Sequence, residues 1–379
     1  MTATATEREQ ERAHLRRALE LAERGRGRVS PNPLVGALIA RGGEVLGEGW
    51  HAELGGAHAE VAAITDARER GGDPAGATMY VTLEPCAHHG RTPPCTESIL
   101  AAGIARVVIA SDDPSEKASG RGPGILRDEG VEVDLAQGAE ASAARLLNQP
   151  FRKHARTALP QVIFKSASSL DGHVATRGGD SRWISGEASR ALVHRWRGEA
   201  DAVCVGIGTA LADDPLLTAR DVEPAVDRQP TRIVFDSRAR LPLDSKLVDS
   251  VTEAPLLVVV GADAPGERLD ALRAAGAETI ATDGDQPARV GAALAELGRR
   301  GITSLLLEGG PGLAGAFFDA GEIDELRLFI APLLLGGGEA RPILAGTGVE
   351  RVEVAGRALA LDWEPSGDDL LVRARLREW

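Results

Sequence analysis

Apolar positions along the chain repeat first with helical and then with strand periods. From Arg12 to Arg24, Leu15, Ala18, Leu19 and Ala22 fall at i, i+3, i+4 and i+7, which is one face of an amphipathic helix. After a Gly-rich segment and SPNP (30–33), the runs LVGALIA and EVLGEGW flank the turn RGGE and predict a hairpin. Then come a helix after His58, a strand TMYVTL (78–83), a helix from about Cys95, a strand RVVIA (106–110), a short helix near Ile125, a strand VEVDL (131–135) and a helix from Ala139 to Leu147. Alternation of this kind builds an α/β layer sandwich.

The segment FRKHARTALP (151–160) is basic, lacks clear periodicity and ends in proline, so it marks a boundary between domains 1–155 and 156–379. A second alternation follows it. Strands QVIFKSA, DAVCVG, TRIVFDS, PLLVVV and SLLLEG interleave with a helix over ASRALVHRWRG and helices around Leu269 and Leu294, which predicts another α/β unit. Late in it, Gly310, Gly312 and Gly315 satisfy the spacing of a dinucleotide fingerprint, but APLLLGGGEA stands where an acidic strand end should follow. Glycines opening a helix still leave backbone N–H groups able to bind a phosphate.

A chain of 379 residues suits two cores of this kind. The net charge of −13 makes a polyanion an unsuitable partner, and one tyrosine with six phenylalanines offers little for base stacking, so no nucleic-acid partner is expected. Three cysteines, Cys86, Cys95 and Cys204, do not make a secreted disulfide framework. No signal peptide or membrane-spanning run is visible, so a cytoplasmic protein without a membrane partner is expected. Cys204, within AVCVG, reads as a buried core thiol.

The chemistry concentrates in EPCAHHGRTPPC (84–95) and in His58-Ala59-Glu60. Zinc favours thiolate and imidazole, and a catalytic zinc keeps three protein ligands and one place for water. His58, Cys86 and Cys95 fit the zinc-deaminase signature H-x-E followed by P-C, with Glu60 as proton shuttle, except that eight residues rather than two separate the cysteines. A loop through Gly90, Pro93 and Pro94 would have to fold back to close the gap. Helical steps of two residues turn by roughly 200°, so His58 and Glu60 cannot share a helical face and His58 should lie at the first turn. A structural zinc closed by His88 or His89, or no metal at all, is the bland alternative.

The motifs PNPLVG, AHAE and TLEPCAHHGRTPPC resemble the deaminase half of the bifunctional riboflavin-biosynthesis deaminase/reductase family. KSASSLDGHVAT, DSRWIS, GIGTALADDPLLTAR, IVFDS and LEGGPGLAGA resemble its reductase half. The resemblance runs from about Leu15 to the strand near Leu328. It implies a cytidine-deaminase-like three-layer α/β/α domain followed by a dihydrofolate-reductase-like α/β domain, with Zn2+ and NADPH as cofactors. In the deaminase half it implies that Asn32, His51 and His88 face the substrate. In the reductase half it places Ala167, Trp183, Thr209, Asp213, Ser237 and the run Gly310, Pro311, Gly312, Leu313, Ala314, Gly315 and Ala316 along NADPH. Ser181, Arg197, Leu217, Arg220 and Glu308 would hold substrate, Lys165 would polarise the oxygen that gains charge, and the two arginines could fork a phosphate.

The expected activity is hydrolytic deamination of a diaminopyrimidinone ribosyl phosphate, followed by reduction of the ribosyl group to ribityl. A small-molecule substrate and a homo-oligomer complete the expectation. Two alternatives stand beside it: a deaminase of another nucleobase with a second domain that only binds a nucleotide, and a zinc-stabilised nucleic-acid-binding protein, which the acidic charge disfavours.

Overall fold

The structure, a computed structural model, describes residues 5–89, 93–116, 118–223 and 225–379. It divides into two compact units, the first ending at Thr157 and taking in Trp379, the second spanning Ala158–Glu378. Gly90, invoked above for the returning loop, lies outside the described residues.

The first unit opens with α1 (Ala5–Glu23) and the hairpin β1 (Gly36–Arg41) and β2 (Glu44–Trp50), followed by α2 (Ala59–Glu69) and β3 (Thr78–Val81). It continues through α3 (Cys95–Ala101), β4 (Arg106–Ile109), α4 (Arg121–Asp128), β5 (Glu132–Leu135), α5 (Ala139–Leu147) and α6 (Gln149–Thr157). The sheet order is β2-β1-β3-β4-β5. The chain enters β1 antiparallel to both neighbours, whereas β3, β4 and β5 are parallel. Side chains of β1 alternate between two layers, as the two-residue period of a strand requires. Ala37 and Ile39 pack with Ala59, Ala63, Ala67 and Ile99, while Leu38 and Ala40 pack with Leu15 and Ala144.

Glycine in β2 sets how closely α2 approaches. A Cβ on Gly49 would lie 2.3 Å from the Ala63 nitrogen, and one on Gly47 would lie 2.4 Å from the Ala63 carbonyl oxygen. The small face Ala59, Ala63 and Ala67 therefore rests directly on the strand backbone, which fixes the first turn of α2 against the sheet.

The basic segment expected to be irregular is instead helical, forming most of α6. Its buried face is not apolar: Arg152 and Lys153 are both almost fully buried. Arg152 Nη1 donates to Ser111 Oγ at 3.1 Å and to the Asp112 carbonyl at 2.9 Å, so hydrogen bonds supply what a hydrophobic stripe would.

The second unit runs β6 (Gln161–Ser169), β7 (His173–Ala175), α7 (Glu187–Glu199), β8 (Ala202–Gly206), α8 (Ile207–Asp213), β9 (Thr231–Phe235), α9 (Lys246–Asp249) and β10 (Leu256–Gly261). It ends with α10 (Gly266–Ala274), β11 (Glu278–Thr282), α11 (Gln286–Arg299), β12 (Ser304–Leu307), α12 (Pro311–Asp319), β13 (Glu325–Ala331), β14 (Arg341–Pro342), β15 (Ala360–Ser366) and β16 (Asp369–Arg375). Nine strands form one sheet in the order β11-β10-β9-β8-β12-β6-β13-β16-β15. From β11 to β13 they are parallel; β16 and β15 add an antiparallel edge.

A parallel sheet is covered on both faces, and these strands are apolar on both. Val203, Val205, Val234 and Leu306 face α7 through Val193 and Trp196. Ala202, Cys204, Ile233 and Leu307 face α11 and α12 through Leu294, Leu297 and Phe317. Cys204 is fully buried in that second layer.

Candidate active sites

In the first unit, His58 caps α2 from an extended conformation (φ −71°, ψ 156°), one residue before the helix begins. Glu60 follows in the first turn and points into the interior, 3% exposed. Cys86 leaves β3 through Pro85, and Cys95 opens α3. The two cysteines are brought together: the Cys95 N–H donates to Cys86 Sγ at 3.3 Å and the Thr96 N–H to the Cys86 carbonyl at 3.3 Å. His58 Nδ1 then lies 3.1 Å from Cys95 Sγ and 3.6 Å from Cys86 Sγ.

All three ligand atoms fall within 4.8 Å of one another. Around zinc, sulfur at about 2.3 Å and nitrogen at about 2.0 Å in tetrahedral array stand roughly 3.5 Å apart. The donor set therefore fits zinc in both chemistry and size. Among the described residues no other cluster of His, Cys, Asp and Glu does so. His88 and His89 are exposed, and His89 Nε2 sits 3.5 Å from Glu97 Oε1.

Electrostatics prepare the groups differently. Hydrogen bonds from the Cys95 thiol, above the effect of burial, hold Cys86 well below the ordinary thiol range, helped by His58 and the Cys95 N–H. Burial pushes the Glu60 carboxyl up, and the Cys86 charge adds to it, so Glu60 can hold a proton that a surface glutamate would release. Asn32 Nδ2 and His51 Nε2 lie 3.1 Å apart, His51 Nδ1 lies 3.0 Å from the Ala57 carbonyl, and the His51 and His58 rings meet edge to face at 5.7 Å. Asn32 and His51 are thus held beside the donor set, whereas His88 is on the exposed loop.

In the second unit, β12 pairs with β6 through Leu307 and Phe164, so the next residues, Glu308 and Lys165, emerge side by side. They border a cavity of about 840 Å³ at the carboxyl ends of the parallel strands, where open α/β sheets present their ligand crevices. Ala167, Ser181, Trp183, Arg197, Thr209, Asp213, Leu217, Arg220, Glu308, Gly310 and Pro311 also border it.

Arg197 reaches from α7 to grip Glu308 with two hydrogen bonds, Nε to Oε1 at 2.6 Å and Nη2 to Oε2 at 2.8 Å. Sequence reasoning gave no hint of this pair, 111 residues apart. It occupies the guanidinium edge that was expected to fork a phosphate, whereas Arg220, also bordering the cavity, is exposed. Burial pushes the Glu308 carboxyl up, but the charge of Arg197, its hydrogen bonds and Lys165 outweigh this, so Glu308 stays ionised. Burial likewise lowers the Lys165 ammonium below the ordinary lysine value, Glu308 opposing the shift and Arg197 adding to it.

The glycine run divides. Gly310 caps α12, and its N–H donates to Thr209 Oγ1 at 3.2 Å; with Pro311 it borders the cavity. Ala314, Gly315 and Ala316 are buried in the helix body, and a Cβ on Gly315 would lie 2.0 Å from the Ala345 carbonyl oxygen, so this glycine is required by packing. Gly312, Leu313 and Ser237 do not border the cavity; the Ser237 hydroxyl accepts from Arg289.

Comparison with known proteins shows what joins the two sites. Residues 8–111 match the cytidine and deoxycytidylate deaminase zinc-binding region, and residues 160–370 match the RibD C-terminal domain. The riboflavin biosynthesis protein RibD of Actinobacillus pleuropneumoniae is 38% identical over 360 residues, covering 95% of this chain and 93% of its own. The chain belongs to the RibD family. RibD of Escherichia coli is 39% identical over 361 residues, covering 90% of this chain and 93% of its own. A RibD structure from Acinetobacter baumannii superposes with a TM-score of 0.85 at 36% identity, covering 98% of this chain and 99% of that one. A Thermotoga maritima structure, described as a diaminohydroxyphosphoribosylaminopyrimidine deaminase/5-amino-6-(5-phosphoribosylamino)uracil reductase, gives 0.84 at 34% identity, covering 97% and 99%.

Like other RibD proteins, this chain is a bifunctional enzyme of riboflavin biosynthesis, with a zinc-dependent deaminase domain of cytidine-deaminase type and an NADPH-dependent reductase domain of dihydrofolate-reductase type. The RibD match across both halves does not favour a second domain that merely binds a nucleotide, and no described helix is long and apolar enough to cross a membrane.

Proposed function

We propose that the first unit removes an amino group from a diaminohydroxyphosphoribosylaminopyrimidine and that the second reduces the resulting 5-amino-6-(5-phosphoribosylamino)uracil, the compounds named for the Thermotoga maritima relative. The observation that carries the first step is the triangle of His58, Cys86 and Cys95 beside the buried Glu60. Zinc held there supplies the Lewis acidity that makes water a nucleophile at neutral pH. Glu60, with its raised pKa, would take one proton from the water and give it to the ring nitrogen, then pass the second proton of the same water to the departing amino group, which leaves as ammonia. Asn32 and His51 orient the base, and His88 reaches it from the loop.

In the second unit NADPH supplies the hydride. Lys165 polarises the sugar oxygen that gains charge, Glu308 binds sugar hydroxyls from its clamp on Arg197, Ser181 and Leu217 flank the sugar, and Arg220 takes the phosphate. Ala167, Trp183, Thr209 and Asp213 line the nicotinamide end of the cavity. The start of α12 at Gly310 and Pro311 turns the positive end of the helix towards the pyrophosphate, with Gly312 to Ala316 forming that helix and Ser237 serving the far end. A homo-oligomer in the cytoplasm, where thiols stay reduced and Cys86 and Cys95 remain available to metal, completes the reading.

Supplying the diaminopyrimidine ribosyl phosphate with NADPH tests both halves together. Ammonia should appear and nicotinamide absorbance should fall. Ammonia without loss of absorbance would remove the reductase reading; the absence of both signals would remove the deaminase reading, and deaminated substrate with NADPH then tests the reductase alone.

A further inference from the structure

Arg220, the exposed cation assigned above to the phosphate, stands on a stretch of backbone that does not hold its own shape. Leu217 has φ 55° and Asp221 has φ 53°, both in the left-handed region that L residues avoid. Three side chains from elsewhere pin the residues between them. The amide of Gln229 bonds both sides of Ala219, accepting from its N–H at 2.8 Å and donating to its carbonyl at 2.9 Å. Arg197 Nη1 donates to the Thr218 carbonyl at 3.3 Å.

The third is His194, one helical turn before Arg197 on α7, half-buried and bordering the same cavity. Its Nδ1 lies 3.1 Å from the Thr218 carbonyl oxygen and 3.3 Å from the Arg220 nitrogen. Either neutral tautomer ties the ring to this strap: with Nδ1 bare it accepts the Arg220 N–H, and with Nδ1 protonated it donates to Thr218. Burial, with Arg197 and Arg220 nearby, keeps the imidazole neutral. Arg220 itself completes the arrangement by donating from Nη1 to Thr218 Oγ1 at 3.0 Å.

We infer that His194 is a positioning residue for the reductase, holding the Thr218–Arg220 backbone so that the Arg220 guanidinium meets the substrate phosphate. This rests on the proposed role of Arg220 in phosphate binding and adds what sets its position. His194 has no place in the hydride or proton steps, so its removal changes affinity for the phosphorylated compound and not the rate at saturation. The carboxamide of an asparagine can reach the Nδ1 position and offers both a donor and an acceptor there, whereas alanine offers neither.

The test is steady-state reduction of the deaminated substrate by the full-length enzyme carrying His194→Ala, His194→Asn, Gln229→Ala or Arg220→Ala, with ribose phosphate as a competitive inhibitor. In His194→Ala the substrate KM and the ribose phosphate inhibition constant should both rise about tenfold, the weight of one hydrogen bond acting on a charged contact. The kcat and the NADPH KM should stay within twofold, roughly the scatter of such measurements. His194→Asn should recover most of the loss, and Gln229→Ala should reproduce the same pattern from the other side of the strap. An unchanged substrate KM in His194→Ala, when Arg220→Ala raises it, overturns the inference while leaving the phosphate assignment standing. An unchanged KM in Arg220→Ala overturns the phosphate assignment and the inference with it. Should His194→Ala fail to fold, a kcat defect with unchanged KM in His194→Asn and Gln229→Ala overturns it equally.

Discussion

Glu308 and Arg197 form a two-point ion pair beneath the reductase cavity, at 2.6 and 2.8 Å, with the two side chains only 7% and 14% exposed. The pair holds a carboxylate ionised where burial alone would protonate it. Removing one partner of such a pair strands the other charge in the interior and costs about 3–5 kcal/mol.

Arg197→Ala should therefore lower the unfolding free energy of the reductase unit by about that amount, and Arg197→Lys by less, because a lysine keeps the charge but loses the planar fork. Denaturant unfolding checks both. The pH dependence has a definite sign. Because the folded pKa of Glu308 lies below its ordinary 4.5, the stabilisation is present above that value and is lost as pH falls through the lower, folded value. In Arg197→Ala that acid sensitivity should shrink.

Lys165 is expected to act protonated, and its ammonium is held below the ordinary 10.5 by burial. The reductase rate should accordingly fall on the alkaline side at a pH lower than that value, measured as NADPH oxidation with deaminated substrate across pH. Lys165→Ala should abolish reduction while sparing ammonia release. Normal NADPH turnover in that variant would mean that the acid lies elsewhere.

Glu60→Gln should reduce ammonia release by about 10²–10⁴-fold, the usual contribution of a positioned acid–base group. The change keeps the shape of the side chain and leaves the three ligands intact, so zinc content should be unchanged, and reduction of deaminated substrate should proceed normally. Retained deamination would exclude Glu60 as the proton carrier.

Gly49→Val tests how the zinc site is held rather than what it contains. A Cβ there would lie 2.3 Å from the Ala63 nitrogen and 2.4 Å from the Ala59 carbonyl oxygen, so α2 must move away from β2. Overpacking of this kind costs about 1–3 kcal/mol. Moving α2 also moves His58 and Glu60, so the variant should lose zinc affinity as well as stability, and isothermal titration with zinc measures the first directly.

The triangle of His58, Cys86 and Cys95 was legible in the sequence because its residue types are scarce: with three cysteines in the chain, one after Pro85, one after the Pro93-Pro94 pair and an H-x-E upstream leave few arrangements. The angular step between His58 and Glu60 placed His58 at the first helical turn, whereas it lies just before it, as the extended N-cap of α2. What escaped was whatever rests on polar contacts between distant segments. The buried face of α6 is Arg152 and Lys153, which no hydrophobic period can reveal. The partnership of Arg197 with Glu308, and of His194 with Thr218 and Arg220, depends on how α7 lies over the strand ends. The glycine run looked like one motif, yet Gly310 serves the cavity and Gly315 serves the packing of α12 against Ala345, a division visible only in three dimensions.

The most direct test of a zinc deaminase and a reductase working as separate sites on this chain is a single preparation of Cys86→Ala analysed for zinc, ammonia release and NADPH oxidation beside the unaltered enzyme. The expected result is loss of bound zinc and of ammonia release together, with reduction of pre-deaminated substrate retained. Zinc and ammonia release both persisting without Cys86, or reduction disappearing along with the metal, would contradict it.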